Sequence, residues 1–179
     1  KAEALQLVRR SREQGLFAVS AILYNHESPL RSDHFVTRKV TRAAARIAAG
    51  LQETLELGDI EVARDWGWAP DYVRAMRLML EADAPQDYVL ATGISHRLSF
   101  FVEKAFIAAG VTDWRDRVVT SSAHHRPSDT NKMVGDSRSA YLNLGWRHTV
   151  DFDSIASRMV EFDRQLLVDE KALWSIPSP

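Results

Sequence analysis

Four cations stand in predicted loops or at strand-to-helix junctions: Arg31, Lys39, Arg64 and Arg126. Guanidinium forks and ammonium groups bind phosphate oxygens through charge-assisted hydrogen bonds, so four of them converging from separate loops would suit a diphosphate. Taken singly, each is also an ordinary surface cation, solvated or in an exposed ion pair of little energetic value. Asp65 follows Arg64 directly and is placed to pair elsewhere and so orient it. Trp66 and Trp68 read as core packing ahead of base stacking. His124 and His125 are adjacent, so on any regular element they point apart; that spacing favours a solvated loop over a metal pair. No metal site is expected.

Other chemistry is excluded by its missing signatures. The sequence contains no Gly-x-Gly-x-x-Gly, no Gly-x-x-x-x-Gly-Lys-Ser/Thr and no Tyr-x-x-x-Lys, so these residues carry no nucleotide-binding fingerprint. No serine occupies a nucleophile elbow.

The elements that must carry the cations alternate between strand and helix. Residues 1–14 read as a helix with Ala4, Leu5 and Val8 on its apolar side, stopped by Gly15. Leu16 to Leu23 is a near-continuous apolar run, the mark of a buried parallel strand. It ends in the polar segment Asn25-His26-Glu27-Ser28-Pro29, which reads as a loop at the strand's carboxyl end, where open α/β sheets bind ligands. A helix follows over 35–51, with Val36, Val40, Ala43, Ile47 and Leu51 on one face. Short strands are expected over 54–57 and 60–64. A helix begins near Pro70, with Tyr72, Val73, Met76, Met79 and Leu80 apolar. Further strands are expected over 87–91 and 117–120, and further helices over 99–109, 137–144 and 153–167. Residues 121–132 read as a loop. The alternation defines an α/β class.

Composition is that of a soluble globular domain: 179 residues, 45% hydrophobic, 26% charged, formal net charge −1. That length supports one sizeable core, and the expectation is one compact α/β unit over 1–179. The balanced charge gives no reason to expect nucleic acid. No apolar run reaches membrane-spanning length, and the amphipathic, Arg-rich start is not a secretory signal. With no cysteine there is neither a disulfide framework nor a thiolate metal site, in keeping with a cytoplasmic protein.

The segment Asn25-His26-Glu27-Ser28-Pro29 with Phe35-Val36-Thr37-Arg38-Lys39 resembles the GDP-mannose 4,6-dehydratases of the extended short-chain dehydrogenase/reductase superfamily. The resemblance runs in order from about Gly15 to Phe162. It includes Thr41 to Ile47, Leu57-Gly58-Asp59, Ala63-Arg64-Asp65-Trp66-Gly67, Asp71-Tyr72-Val73, Ala91-Thr92-Gly93, Arg126-Pro127, Gly135-Asp136 and Leu144-Gly145-Trp146. Arg64-Asp65 and Arg126-Pro127 are shared with nucleotide-sugar dehydratases and epimerases generally; the 25–39 segment is the specific part.

The resemblance implies the last strands of a Rossmann-type parallel sheet interleaved with a small substrate-binding lobe, the carboxyl-terminal half of a lyase. It implies an amino-terminal NADP-binding portion upstream of Lys1, together with the catalytic Thr or Ser, Glu and Tyr. The activity implied is conversion of GDP-mannose to GDP-4-keto-6-deoxymannose. Hydride passes from C4 to NADP, the ketone acidifies C5, water leaves across C5 and C6, and hydride returns to C6. His26 and Arg31 would contact NADP, Arg31 at its extra phosphate or its diphosphate, and Lys1 would be the lysine of the Tyr-x-x-x-Lys motif. Asn25, Val36, Lys39, Arg64, Arg126 and Asp129 would bind the nucleotide sugar. By the same resemblance the complete enzyme would be a homodimer or homotetramer, and this chain alone would be inactive. Leu30, Trp68, Pro70 and Asp129 depart from the residues usual in the family. The alternatives are a reductase or epimerase of the same superfamily, a non-catalytic nucleotide-sugar binding fragment, and a structural domain.

Overall fold

The computed structural model describes residues 1–121 and 133–174. In chain order the elements are α1 (Ala2–Glu13), β1 (Ala21–Leu23), β2 (Asn25–Glu27), α2 (Val36–Ala48), β3 (Leu55–Leu57), β4 (Ala63–Arg64), β5 (Trp66–Trp68) and α3 (Ala69–Glu81). They continue with β6 (Tyr88–Leu90), β7 (His96–Arg97), α4 (Leu98–Ala109), α5 (Trp114–Arg117), β8 (Val118–Thr120), α6 (Arg138–Leu144) and α7 (Phe152–Trp174). The chain divides into two units, each discontinuous in sequence. The first comprises Lys1–His26, Arg64–Ser95 and Met133–Val150; the second comprises Glu27–Ala63 with the described parts of 96–132 and 151–179.

In the first unit β1 and β6 run parallel, with Ala21 opposite Tyr88, Ile22 opposite Val89 and Leu23 opposite Leu90. The core is built on Tyr72, Ala75 and Met79 of α3, which pack with Tyr88, Leu90, Ala140 and Trp146. Steps of three and four put these three on one stripe of the helix. The indole Nε1–H of Trp146 donates to the Asp71 carbonyl at 2.8 Å, so the buried ring keeps no unmet donor. The Asp71 carboxylate accepts from Thr149 N at 2.8 Å, Thr149 Oγ1 at 2.7 Å and Val150 N at 3.3 Å, tying the start of α3 to the segment after α6. Asp87 accepts from Arg9 Nε at 3.0 Å, from Arg12 and from Ser20 N at 3.1 Å, fixing α1 beside β6. Burial alone would raise the Asp87 pKa, but Arg12 and Arg9 together hold it below the ordinary aspartate value.

In the second unit β3 and β8 are parallel, with Leu55 opposite Val118 and Leu57 opposite Thr120. Helices α2, α4 and α7 pack against one another. Val40, Ala43, Ala44 and Ile47 of α2 meet a set made of Phe101, Val102, Ala105 and Phe106 of α4 with Ile155, Ala156, Met159 and Val160 of α7, all buried. Alanines on α2 let the neighbouring helices approach closely, and each fully buried phenylalanine contributes about 1.5–3 kcal/mol. One ion pair is enclosed in this layer. Arg38 Nη1 lies 2.6 Å from Asp163 Oδ1, with side-chain exposures of 7% and 3%. Burial raises the Asp163 pKa, against the opposing pull of Thr41, Arg38 and Arg42.

Several expected boundaries shift. Of the apolar run 16–23 only Ala21–Leu23 joins a ladder, and Leu16 and Phe17 are exposed at 60% and 47%. Asn25-His26-Glu27, expected as loop, forms strand β2, and its partner is β5. A backbone partner brought from forty residues away overrides the polar character of the segment. The buried stripe of α3 holds Tyr72 and Met79 but leaves Val73 and Leu80 exposed at 62% and 64%. In α7, Ile155 and Met159 are buried as expected, whereas Phe162 and Leu166 are each 37% exposed. Leu51 lies past the end of α2, and a single-turn helix, α5, precedes β8 and takes Arg117 from the expected strand.

Candidate functional site

In the first unit the Asn25-His26 pair leaves β1 through Tyr24, whose N–H donates to the Leu90 carbonyl at 3.0 Å. Asn25 Nδ2 approaches the Asp65 carbonyl at 3.4 Å. The His26 Nδ1–H donates to the Tyr24 carbonyl at 2.9 Å, so in the neutral ring Nε2 is the acceptor. The imidazole also stacks on Tyr72, with centroids 5.3 Å apart and planes at 30°. Tyr72 is itself held edge-on by Trp146 at 5.8 Å. It closes over Gly67 so tightly that a Cβ there would stand 2.5 Å from Tyr72 Cε2. One hydrogen bond and one ring face thus fix both the tautomer and the plane of His26.

Arg64 is half-buried in β4. Its neighbour Asp65 is fully buried and gathers four donors: Thr92 N at 2.9 Å, Thr92 Oγ1 at 2.7 Å, Gly93 N at 2.9 Å and Gly135 N at 3.2 Å. Asp65 thus pairs away from Arg64, with three backbone N–H groups and the Thr92 hydroxyl. Trp66 is buried at 4% exposure and belongs to the core; Trp68 is half-buried.

In the second unit the chain turns from Glu27 into α2. The Arg31 N–H donates to the Ser28 carbonyl at 3.0 Å, and the Phe35 N–H to the Ser32 carbonyl at 3.0 Å. Arg31 Nε lies 3.5 Å from Glu27 Oε2, and its guanidinium carbon stands 3.6 Å over the centre of the Phe35 ring. Val36 opens α2, and Lys39 lies one turn on, on the same face. The Lys39 ammonium donates to the Glu56 carbonyl at 2.6 Å, and two of its three protons remain for an anion.

The residues expected at the site thus fall as Asn25, His26 and Arg64 in the first unit, and Arg31, Val36 and Lys39 in the second. Lys1 is the exposed residue preceding α1, where its carbonyl accepts the Leu5 N–H at 3.1 Å. Arg126 and Asp129 lie outside the described residues, as do His124 and His125. Sequence reasoning missed Glu27, Thr37 and Tyr72 as supports. The available signal was a Glu four residues past the apolar run and ten residues before a helical Thr. Among the described residues no cluster of His, Asp and Glu could hold a metal ion, and no helix is long and apolar enough to cross a membrane.

Parallel strands alternating with covering helices, and polar groups set at the strand ends, define a Rossmann-type α/β protein. The solved structure of RMD from Pseudomonas aeruginosa, complexed with NADPH, has this fold. It superposes with a TM-score of 0.79 at 22% identity, over 89% of this chain and 51% of that one. A family model described as GDP-mannose 4,6 dehydratase matches residues 1–159, and the chain belongs to that family. GDP-mannose 4,6 dehydratase 1 of Arabidopsis thaliana is 45% identical over 159 residues, covering 89% of this chain and 44% of the relative. The human GDP-mannose 4,6 dehydratase is 40% identical over 168 residues, covering 85% and 45%. The chain spans a little under half the length of these relatives.

Proposed function

We propose that this chain is the carboxyl-terminal half of an NADP-dependent enzyme that converts GDP-mannose to GDP-4-keto-6-deoxymannose. The observation that carries the reading is the 45% identity to a GDP-mannose 4,6 dehydratase across 89% of the chain. NADP supplies a hydride acceptor at C4 of the sugar and a hydride donor at C6. The residues here suit such a group: an imidazole with a fixed tautomer at His26 and a guanidinium set over an aromatic ring at Arg31. NADPH in the Pseudomonas aeruginosa RMD structure supports a nicotinamide cofactor.

His26 and Arg31 bind the cofactor, and Lys1 holds its nicotinamide ribose. Asn25, Val36, Lys39, Arg64, Arg126 and Asp129 take the nucleotide sugar, with the three cations on its diphosphate. The first unit supplies the end of the Rossmann sheet and the second the substrate lobe. The catalytic Thr or Ser, Glu and Tyr belong to the amino-terminal half, so this chain alone turns nothing over. The enzyme works in the cytoplasm as a homodimer or homotetramer.

The test is incubation of the full enzyme with GDP-mannose and NADP, followed by mass and carbonyl analysis of the sugar nucleotide. A product lighter by one water and bearing a ketone is expected. Unchanged GDP-mannose from folded protein overturns the reading, and a product of unchanged mass but altered stereochemistry points to an epimerase.

A further inference from the structure

Glu27 carries a carboxylate yet is 1% exposed, a burial that charged side chains rarely reach without partners. Two side chains from the following turn and helix meet it at a single oxygen. Thr37 Oγ1, itself on a residue 1% exposed, donates to Glu27 Oε2 at 2.6 Å, and Arg31 Nε lies 3.5 Å from that same atom. Arg31 is constrained on a second side by Phe35, whose ring centre is 3.6 Å from the guanidinium carbon. Nε is buried within ion-pair distance of the carboxylate but makes no hydrogen bond, and the guanidinium carbon stands over the ring, so the Nη edge is what this side chain has left to offer an anion. The side chain remains 20% exposed.

We propose that Glu27 is a positioning residue: it sets Arg31 in advance in the orientation that receives a phosphate of the nicotinamide dinucleotide, and Thr37 holds Glu27 for that task. The inference rests on the assignment of Arg31 to the cofactor. Its physical basis is preorganisation. An arginine free in solution must be immobilised when its ligand binds, and that ordering weakens binding by about three- to tenfold for one long side chain. The carboxylate also has an opposite effect, because its negative charge repels a phosphate. The sign of the Glu27→Gln effect therefore separates positioning from mere charge compensation.

The experiment measures NADPH affinity by fluorescence titration of the full enzyme. The proteins are wild type, Glu27→Gln, Arg31→Ala and the double variant, with circular dichroism confirming the fold of each. Glu27→Gln is expected to weaken NADPH about three- to tenfold, to leave kcat at saturating NADP within about twofold, and to have no further effect once Arg31 is alanine. Should Glu27→Gln not fold, Thr37 carries the same test: Thr37→Val weakens NADPH and Thr37→Ser restores it. Tighter binding by Glu27→Gln, or an equal loss with and without Arg31, overturns the inference while leaving the proposed function intact. No NADPH binding by the wild type, or none lost in Arg31→Ala, removes the cofactor assignment and the inference with it.

Discussion

Asp65 takes both donors of Thr92, the backbone N–H at 2.9 Å and the hydroxyl at 2.7 Å, on one carboxylate oxygen. Its other oxygen accepts Gly93 N and Gly135 N. One buried side chain therefore ties the turn after β6 and the segment before α6 to the strand that carries Arg64. An asparagine would turn an NH2 group toward N–H donors and leave buried groups unmet. Asp65→Asn is expected to cost about 2–4 kcal/mol, read as a lowered midpoint in urea unfolding with an unchanged slope.

Gly67 and Gly110 separate two reasons for glycine. At Gly67 a methyl group would lie 2.5 Å from Tyr72, which is fully buried and braced by Trp146, so the ring has nowhere to go. Gly67→Ala is expected to cost about 2–3 kcal/mol by overpacking and to disturb the ring on which His26 stacks. Gly110 has φ +85° at the end of α4 and open space around it. Gly110→Ala should cost about 1 kcal/mol from the left-handed backbone alone. Equal losses in thermal denaturation would contradict this distinction.

The Arg38–Asp163 pair predicts a pH dependence of stability. The folded pKa of Asp163 is raised above the ordinary aspartate value of 3.8, with burial the leading cause. Its contribution is therefore fully present below that value and is lost as pH rises through the raised folded pKa. Arg38→Met leaves the carboxylate buried without its cation and is expected to cost about 3–5 kcal/mol at pH 8. Arg38→Met combined with Asp163→Leu is expected to recover that loss, as a double-mutant cycle in guanidinium chloride would register.

Asp87 has the opposite sign. Its folded pKa is depressed by Arg12 and Arg9, so its contribution is present above the ordinary value and disappears as pH falls through the depressed one. Asp87→Asn should flatten the acid limb of the stability profile and loosen α1. Hydrogen exchange of the α1 amides is the measurement; unchanged protection would show that α1 does not depend on this anchor.

The residues themselves determined the α/β class, the helices with strong spacing and the family. In α4, Phe101, Val102, Ala105, Phe106 and Ala109 recur at helical steps, and all are buried as expected. Gly110 and Gly145 end their helices in the left-handed conformation that glycine adopts without a Cβ clash. Spacing of this kind is local, and a single sequence carries it. Asn25, His26, Arg31, Lys39 and Arg64 were legible as candidates because their side-chain chemistry and motif suffice to name them.

Tertiary structure alone decided what holds those candidates. The strand character of Asn25-His26 needs β5, the tautomer and plane of His26 need Tyr24 and Tyr72, and the pose of Arg31 needs Glu27 and Phe35. It also chose between two adjacent apolar stripes on α3, burying Tyr72 and exposing Val73. Apolar periodicity marks which residues can be buried, but which of them are depends on what packs opposite. That partner comes from distant sequence and leaves no local trace.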